Sequence, residues 1–530
     1  MEAAGRRNEA IETYRRAILA SPDDPAGYVH LGELLYVSGL IEEARGIYDV
    51  GLQRLPASPI LNWVRCMAAL PMVAADEAEI AAALAEFTER LHGLRAICFA
   101  DHAALREAAR AVGLRSPFFL PYLGQCDPAL MALHGALAAD IMAANDPIRA
   151  RPRRVAWRPG EKIRVGVVSG LFLRHAVWRM PTRGWLTHLD RSRFALIGYH
   201  TREARDAETA AAERLFDRFH AGRGPLSAWT DRIRADAPHV LIYPELGADQ
   251  TALQLAALPL APVQCTTWGQ PVTSGLPTIE HYLSCDRMEP PDADRQYTEH
   301  LVRLPGLGTV FTPEAASWGD PLPDGDSWAG FGLPEDSVRV LCCQATQKFL
   351  PRHDDVFPRI ARALPKARFV FVTPNDRARD TLWRRLFLAF QAHGLSGEAH
   401  CLFVPGMGHA TFSATIRDAH INLDTIGWSG CNTTLDALGH GIPTVTLPGD
   451  TMRARHGLAF LQVLGVTDTI VESVDALVAK VVQLGQDDDY RRDVSARLLA
   501  GRHNLFGDPA PVRALEAFLT AEVARRCGDA

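Results

Sequence analysis

A short loop in the last quarter of the chain combines residue types that suit a phosphate group. Residues 427–436 read GWSGCNTTLD, and PTVTLPGD and RARHG follow soon after. Small residues let a backbone approach a ligand closely, and donors at the start of a helix suit oxygens that carry negative charge. Asn432, Thr433 and Thr434 would cap a helix and present such donors, while Asp436 could accept hydrogen bonds from a ribose diol. A helix cap alone would explain one threonine but not the whole string.

A cationic motif occurs earlier in the chain. CCQATQKFLPRHDD (342–355) puts Gln344 and Lys348 immediately after a predicted strand. The ammonium group of Lys348 could neutralise a diphosphate leaving group, which is charge that a metal ion would otherwise supply. A solvated lysine at the start of a helix is the alternative interpretation.

Two polar motifs in the middle of the chain could face the same ligand. VVSGLFLRHAVWR places His175 a few residues after a predicted strand, where a histidine can act as a base or hydrogen-bond a sugar or phosphate. TTWGQPVTSG (266–275) places Pro271 and Thr273 in a tight turn that could aim N–H groups into a cleft. Taken alone, each motif has a structural alternative: a packing or surface histidine, and a plain strand-to-helix turn.

These motifs need a scaffold that brings strand ends together, and the hydrophobic pattern predicts one. Apolar β-branched runs alternate with helical stretches, and a Pro-, Gly- and Asp-rich segment at 312–334 divides them into two series. Continuous apolar strands separated by helices indicate parallel sheets covered on both faces. The predicted strands are 163–170, 194–200, 239–245 and 263–271, then 338–344, 367–374, 400–406, 421–427 and 443–449. Ligands of two such doubly wound domains bind beyond the carboxyl ends of the strands, where nearly every motif above lies.

The first 60 residues contain an internal repeat. Four residues recur after a step of 34 positions: Ala10, Tyr14, Ala17 and Pro22 become Ala44, Tyr48, Gly51 and Pro56. This period predicts tetratricopeptide helix pairs, in which small residues stand where helices cross and an aromatic ring fills the groove. An ordinary amphipathic hairpin is the alternative. Since only about one and a half repeats are present, we expect them to pack onto the helical connector that follows.

Composition limits the possible classes of function. The length of 530 residues predicts about three or four domains, and 47% hydrophobic and 22% charged residues are typical of a globular protein. A net charge of −6 argues against a nucleic-acid binder, because such proteins need excess Lys and Arg. Ten cysteines without CxxC or framework spacing suggest a reducing compartment. With no signal-peptide pattern and no apolar run of roughly 18 residues, we expect a cytoplasmic protein without a membrane span.

Several other chemistries lack their motifs. GxxxxGK[ST], GxGxxG, HExxH and GxSxG are all absent from the sequence. Metal-dependent sugar transferases often use an Asp-x-Asp pair, but Asp324-Gly325-Asp326 sits in the Pro- and Gly-rich segment and indicates a turn. We therefore expect neither a metal nor another cofactor.

As an ordered set, the motifs resemble the family of O-linked N-acetylglucosamine transferases and their SPINDLY-like bacterial relatives. The likeness runs through VSGLFLRHAV, LIYPELG, WGQPVTSG, HLVRLPG, QATQKFLPRHDDVFPRI, LDTIGWSGCNTTLDAL and PTVTLPGDTMRARHG. It implies an α/β fold of two Rossmann-like doubly wound domains, called GT-B (family GT41), after an α-helical tetratricopeptide-type region. The expected segments are 1–60 for the repeats, 61–155 for the connector, 156–325 for the acceptor-side half and 326–530 for the nucleotide-sugar half.

The resemblance also implies an activity and its residues. The activity is metal-independent, inverting transfer from a nucleotide sugar to Ser or Thr of a protein or peptide. His175 matches the family's active-site histidine, and Lys348 matches the lysine on the donor diphosphate. The implied nucleotide-sugar contacts are Gln344, Asn432, Thr433, Thr434, Asp436, Pro271 and Thr273. The chain departs from the family pattern at Trp178 and Gln270 and in its short repeat array.

These departures keep more than one function open. The expected donor is UDP-N-acetylglucosamine, whereas a variant of the same class would use UDP-glucose or GDP-fucose on a dedicated surface or flagellar protein. A different class is a non-catalytic scaffold that still binds nucleotide. Retention of both Lys348 and His175 argues against the scaffold, since a scaffold needs neither. The sequence leaves the oligomeric state open.

Overall fold

The computed structural model describes residues 2–124, 127–312, 322–373 and 375–528, which form a helical region followed by two α/β halves. This is the predicted fold class. No helix in these ranges is long and apolar enough to cross a membrane. The helices of the first region are α1 Glu2–Ala20, α2 Pro25–Val37, α3 Ile41–Arg54, α4 Pro59–Met67, α5 Glu77–Cys98, α6 His102–Ala111 and α7 Pro128–Asn145.

The 34-residue repeat packs as its sequence pattern predicts. A Cβ on Gly32 would lie 2.1 Å from the ring of Tyr48, and one on Gly51 would lie 3.0 Å from the ring of Tyr28. Both tyrosines are buried. Small residues therefore stand at the helix crossings while aromatic rings fill the grooves, which is the packing of tetratricopeptide helices.

Within the described residues, the first half contains a parallel seven-stranded sheet in the order β3-β2-β1-β4-β5-β6-β7. Its strands are β1 Ile163–Ser169, β2 Phe194–His200, β3 Arg218–Ala221, β4 Val240–Tyr243, β5 Val263–Thr267, β6 His281–Cys285 and β7 His300–Leu304. Between and beside them lie α8 Arg183–His188, α9 Ala207–Glu213, α10 Leu226–Asp236 and α11 Gln250–Ala256. The sequence did not predict β3, β6 or β7, because these strands are short and carry His, Ser and Arg among their apolar residues.

The second half repeats this strand order on a smaller scale. Its described strands form a parallel five-stranded sheet, β10-β9-β8-β11-β12. The strands are β8 Val338–Cys342, β9 Ala367–Val372, β10 Cys401–Val404, β11 Ile421–Leu423 and β12 Thr444–Val445. Its helices are α12 Val356–Ala363, α13 Asp376–Ala392, α14 Gly397–His400, α15 His409–Arg417, α16 Asn432–Gly439, α17 His456–Leu464, α18 Val474–Gln486 and α19 Asp488–Gly501. Residue 374, the end of one predicted strand, lies outside the described residues.

The two sheets place their ligand-binding crevices at equivalent points. The strand order reverses between β1 and β4 in the first sheet and between β8 and β11 in the second. At such a reversal, the loops beyond the strand ends diverge to opposite faces and leave a crevice. The segments that follow β1, β8 and β11 contain His175, Lys348 and the GWSGCNTTLD loop.

The last helix, α20 Ala510–Cys527, departs from the predicted division of the chain. Leu515 and Leu519 lie in one buried cluster with Val165 of β1 and Phe194 of β2. Residues 510–527 therefore pack with the first half and not with the segment 326–530 to which the sequence assigned them. An amphipathic pattern reveals that a helix has an apolar face, but not which sheet covers that face. Residues 313–321, next to the predicted boundary at 325, lie outside the described residues.

We expect the apolar face of α20 to stabilise the first half. Leu519 is fully buried, so Leu519→Ala should lower the free energy of unfolding by about 2–5 kcal/mol through lost burial and a cavity. Leu499→Ala on α19 is the matched control, because that side chain is 42% exposed and should change stability by under about 0.5 kcal/mol. Urea unfolding followed by tryptophan fluorescence compares the two. Equal midpoints would contradict the packing of α20.

Candidate functional site

One buried carboxylate, Asp424, holds the loop between β11 and α16. It accepts hydrogen bonds from the Gly430 N–H (2.7 Å), the Ser429 hydroxyl (2.5 Å) and the Thr446 hydroxyl (2.7 Å). The Ser429 oxygen in turn accepts the Gly457 N–H at 2.9 Å. Burial raises the pKa of Asp424, and these hydrogen bonds oppose that shift. Asp424 therefore fixes the shape of the loop.

The helix that follows this loop starts without a capping side chain. α16 begins at Asn432, and Cys431 occupies the N-cap position without a side-chain hydrogen bond. Asn432, Thr433 and Thr434 form the first turn of the helix instead of capping it, which corrects the predicted capping role. The first N–H groups of a helix have no partner within the helix. They point out of its N-terminus, which is also the positive end of the helix dipole. These groups are arranged to bind an anion.

Buried polar atoms crowd around this turn. A Cβ on Gly430 would lie 2.3 Å from both Gln344 Nε2 and Thr434 Oγ1, so a side chain has no room between them. The Thr433 hydroxyl donates to Gln344 Oε1 at 3.1 Å. Among the described residues, Gln344 Nε2, Asn432 Oδ1 and Thr434 Oγ1 are buried and make no hydrogen bond. Because buried polar groups normally find partners, their clustering at an uncapped helix start indicates a ligand site.

Lys348 approaches the loop from the segment after β8. Its Nζ donates to the carbonyl of Ser429 at 3.0 Å. Burial lowers the pKa of Lys348 to about 8, while the nearby Asp424 opposes the shift. Only four of the 56 cationic Lys and Arg residues are lysines, at positions 162, 348, 366 and 480. Lysine provides a compact charge whose pKa responds to burial, which arginine does not.

Residues of the first half face this loop across the cleft. Burial raises the pKa of Asp436 on α16 to about 6, and the guanidinium of Arg179 in the first half opposes that shift. The ring of Trp268, directly after β5, lies 6.0 Å from the ring of His456 in the second half. Burial and the charge of Lys348 lower the pKa of His456 to about 3. Within the described parts of the chain, Trp268 Nε1 and both ring nitrogens of His456 are buried without hydrogen-bond partners.

His175 lies in the loop after β1, where its side chain remains accessible to solvent. Its Nδ1 accepts the Val177 N–H at 3.2 Å. Desolvation by the surrounding protein and the charge of the Arg202 guanidinium lower the pKa of His175, which favours the neutral ring. A neutral imidazole whose Nδ1 accepts carries its proton on Nε2. In this tautomer His175 can donate a hydrogen bond to a substrate, but Nε2 cannot take up a proton.

The turn that contains Pro271 and Thr273 is held by Glu299. The Glu299 carboxylate accepts the Thr273 hydroxyl (2.7 Å) and the Ser274 N–H (2.8 Å). Pro271 and Thr273 both line a cavity of about 220 Å³ between the halves, together with Gln296, Asp450 and Met452. The Thr273 hydroxyl is engaged in holding the turn, and Pro271 is the more exposed of the two residues.

The second half matches a known family. Residues 330–507, which include Lys348, Asp424 and the start of α16, match the sequence profile of glycosyl transferase family 41. This segment is a family 41 domain.

Relatives of the family 41 domain extend the likeness into the first half. A probable UDP-N-acetylglucosamine--peptide N-acetylglucosaminyltransferase SPINDLY from Arabidopsis thaliana is 26% identical over 354 residues, 64% of this chain and 37% of its own length. The SPINDLY protein of Solanum lycopersicum is also 26% identical, over 63% of this chain and 36% of its own length. The chain thus spans little more than a third of these relatives. A solved O-GlcNAc transferase variant from Thermobaculum terrenum covers 99% of this chain and 96% of its own at 22% identity and a TM-score of 0.72, which shows a shared GT-B fold.

Several site residues escaped the sequence reasoning. Asp424 lies inside the predicted strand 421–427 and directly after the shorter observed β11, and His456 lies in the RARHG motif, but neither was assigned a role. Trp268 lies one residue beyond β5. Asp424 and Trp268 both lie inside predicted strands that are longer than the observed ones, so only the observed strand ends place them at the crevice, and only the tertiary structure brings His456 to Trp268. Glu245 was missed too: two residues beyond β4, it accepts the Ser169 hydroxyl at 2.8 Å, and burial raises its pKa to about 8.

Ligands for a metal ion do not gather in the described part of the chain, where no group of three or more His, Cys, Asp and Glu side chains could hold one. The Asp-x-Asp sequence near the family 41 domain behaves as a turn. Asp326 accepts a hydrogen bond from the Arg339 guanidinium at 2.8 Å and another from the Trp328 N–H at 3.0 Å.

We expect Lys348 to lose its proton near pH 8 in the protein without ligand. Reductive ¹³C-methylation labels all lysines, and the resonance that is absent in Lys348→Met should titrate with a midpoint near pH 8, because burial disfavours the ammonium form. The folded protein then binds fewer protons than the unfolded chain between about pH 8 and 10.5, so this group's contribution to stability rises with pH in that interval. Affinity for an anion should fall as Lys348 loses its charge. A midpoint at the ordinary lysine value would contradict the burial of Nζ.

Proposed function

We propose that this chain is a metal-independent, inverting glycosyltransferase that moves N-acetylglucosamine from UDP-N-acetylglucosamine to Ser or Thr of a protein. The observation that carries the proposal is the uncapped start of α16, where unpartnered polar atoms gather beside the ammonium group of Lys348. In this proposal the β-phosphate of the donor lies against the first turn of α16. The names of the SPINDLY relatives support the donor and the protein acceptor.

The charge that develops during transfer falls on the phosphate. The acceptor hydroxyl oxygen forms a bond to the anomeric carbon, the bond from that carbon to the β-phosphate oxygen breaks, and its electron pair leaves with UDP. Lys348 and the N–H groups of Thr433 and Thr434 stabilise this charge. Hydrogen-bond donors that are already in position, in a site with little water, stabilise negative charge as it develops in the transition state. The hydroxyl proton is released to solvent. The Nε2–H group of His175 donates a hydrogen bond to a substrate oxygen.

Other residues bind the rest of the donor. The carboxyl group of Asp436, with a pKa near 6, is mainly ionised at pH 7 and can accept hydrogen bonds from the ribose diol. Gln344 offers its unpartnered Nε2 to the diphosphate. Pro271 borders the sugar from the first half, while Thr273 holds the turn.

Two alternatives make different predictions about ligands. UDP-glucose or GDP-fucose as donor, with a dedicated surface or flagellar protein as acceptor, would change the sugar or base but not the diphosphate contacts. A non-catalytic scaffold would bind nucleotide without turnover.

We also propose a cytoplasmic protein that does not bind nucleic acid.

We expect UDP to bind with an affinity that EDTA does not change, and Lys348→Ala to lower kcat by about 100-fold or more through loss of the leaving-group cation. Calorimetry with UDP and GDP, with and without EDTA, and transfer from radiolabelled UDP-N-acetylglucosamine measure these effects. Lys366→Ala is the matched control, because that side chain is 62% exposed and pairs with Asp336 outside the cleft.

The outcomes separate the alternatives. Binding of GDP but not UDP would replace the donor by a GDP-sugar. UDP binding without any turnover would favour the scaffold. Turnover by Lys348→Ala equal to that of the wild type would remove Lys348 from the leaving-group role.

We expect His175 to act as a hydrogen-bond donor and not as the base. His175→Asn keeps a donor and should retain activity within about tenfold of the wild type, whereas His175→Ala should lose about another tenfold, as befits one lost hydrogen bond. The pH dependence of kcat/KM for both variants is the measurement. If both variants are equally inactive and the acidic limb of the profile disappears, His175 is the base.

A further inference from the structure

A tyrosine from the helical connector reaches the family 41 domain at the candidate phosphate site. Tyr122 lies in a short helical turn between α6 and α7. Its ring stacks on the indole of Trp428 with centroids 3.9 Å apart and planes within 2° of parallel. Trp428 is 6% exposed, so the stack is largely removed from water. Trp428 directly precedes Ser429, the residue that connects Asp424 to Lys348.

The surroundings of Trp428 link the stack to the cation. Lys348 Nζ lies 5.8 Å from the centroid of the indole, and the Arg453 guanidinium lies 5.5 Å from it. The Ser429 N–H donates to the Arg453 carbonyl at 2.9 Å, while the Ser429 carbonyl accepts Lys348 Nζ. The position of the indole therefore helps to set the position of both charges.

A second contact of Tyr122 leads to the same lysine. The phenol lies beside the side chain of Gln347, the residue immediately before Lys348; Gln347 lowers the pKa of Tyr122, although burial dominates and raises it to about 12. One tyrosine thus contacts both segments of the site: residue 428 in the loop after β11 and residue 347 in the segment after β8. A ring that only filled space in the connector would need neither contact.

The connector is anchored firmly enough to hold that tyrosine in place. Arg385 is buried, and its guanidinium donates to the Ala74 carbonyl of the connector and to the Phe349 carbonyl, both at 2.9 Å. The same guanidinium forms a two-pronged pair with Asp354 at 2.9 and 2.7 Å. Arg385 therefore joins Ala74 of the connector to Phe349 and Asp354, which follow Lys348.

We propose that Tyr122 is a positioning residue for the donor diphosphate: by holding Trp428 and Gln347 it sets Lys348 and the loop after β11 in the geometry that binds the phosphates. The helical connector thereby completes a site whose ligand-binding residues all lie elsewhere. The inference rests on the proposed function, since it assumes a diphosphate ligand.

The test separates the stack on Trp428 from the contact with Gln347. Tyr122→Phe keeps the ring and removes the hydroxyl that lies beside Gln347, and we expect the Kd for UDP to rise about threefold. Tyr122→Leu loses both, and we expect the Kd for UDP and the KM for the sugar donor to rise about tenfold or more, with the acceptor KM unchanged. Phe87→Leu is the control, because it removes a fully buried aromatic ring from α5 in the same connector. It should lower thermal stability without changing the Kd for UDP.

A second readout does not need nucleotide. In the ¹³C-methylated protein, the titration midpoint of Lys348 should move in Tyr122→Leu, because a displaced indole changes the solvation of Nζ, and should stay in place in Phe87→Leu. An unchanged UDP Kd and an unchanged Lys348 titration in Tyr122→Leu would overturn the inference. If the wild type binds no nucleotide, the proposed function fails, and the Lys348 titration still decides whether Tyr122 positions that lysine.

Discussion

The burial of the Asp424 carboxylate is the constraint on which the candidate site depends. A carboxylate removed from water is costly unless hydrogen bonds replace its hydration. Asp424 obtains them from the Ser429 hydroxyl, the Gly430 N–H and the Thr446 hydroxyl, so the loop can take only one path. That path turns the Ser429 carbonyl toward Lys348 and puts Gly430 between two polar side chains. The open start of α16 follows from it.

The first sheet also has a buried carboxyl group after a strand, but there the charge differs. Glu245 follows β4 as Asp424 follows β11, and it accepts the Ser169 hydroxyl and the Gly170 N–H. Its pKa near 8 leaves it mainly protonated at pH 7, so this crevice gains little charge. In the second sheet a lysine stands beside the carboxylate. The same topology thus buries a carboxyl group in each crevice, and the second crevice adds the ammonium group of Lys348, which suits a phosphate.

Contacts between residues that are far apart in the sequence hold the two crevices opposite each other. α20 returns from the second half to the first sheet. The connector helix α7 lies so close to the 271–275 turn that a Cβ on Gly135 would be 2.1 Å from the Gly275 carbonyl oxygen. Arg385 ties the other side of the connector to the second half. With both halves braced, Trp268 meets His456 and Arg179 influences Asp436 across the cleft.

The sequence by itself determined the local features of this protein. The repeat period and the apolar runs predicted the helical repeat, most strands, the two-half fold and the motifs near strand ends, because these depend on near neighbours. It also indicated the polar loop around Asn432 and the cation at Lys348. Only the tertiary structure decided that Asp424 shapes the loop, that Thr273 holds a turn, that α20 crosses back, and that Tyr122 stacks on Trp428. Each of these depends on which surfaces meet after long excursions of the chain, and periodicity carries no information about the partner of an apolar face or the atom that satisfies a buried charge.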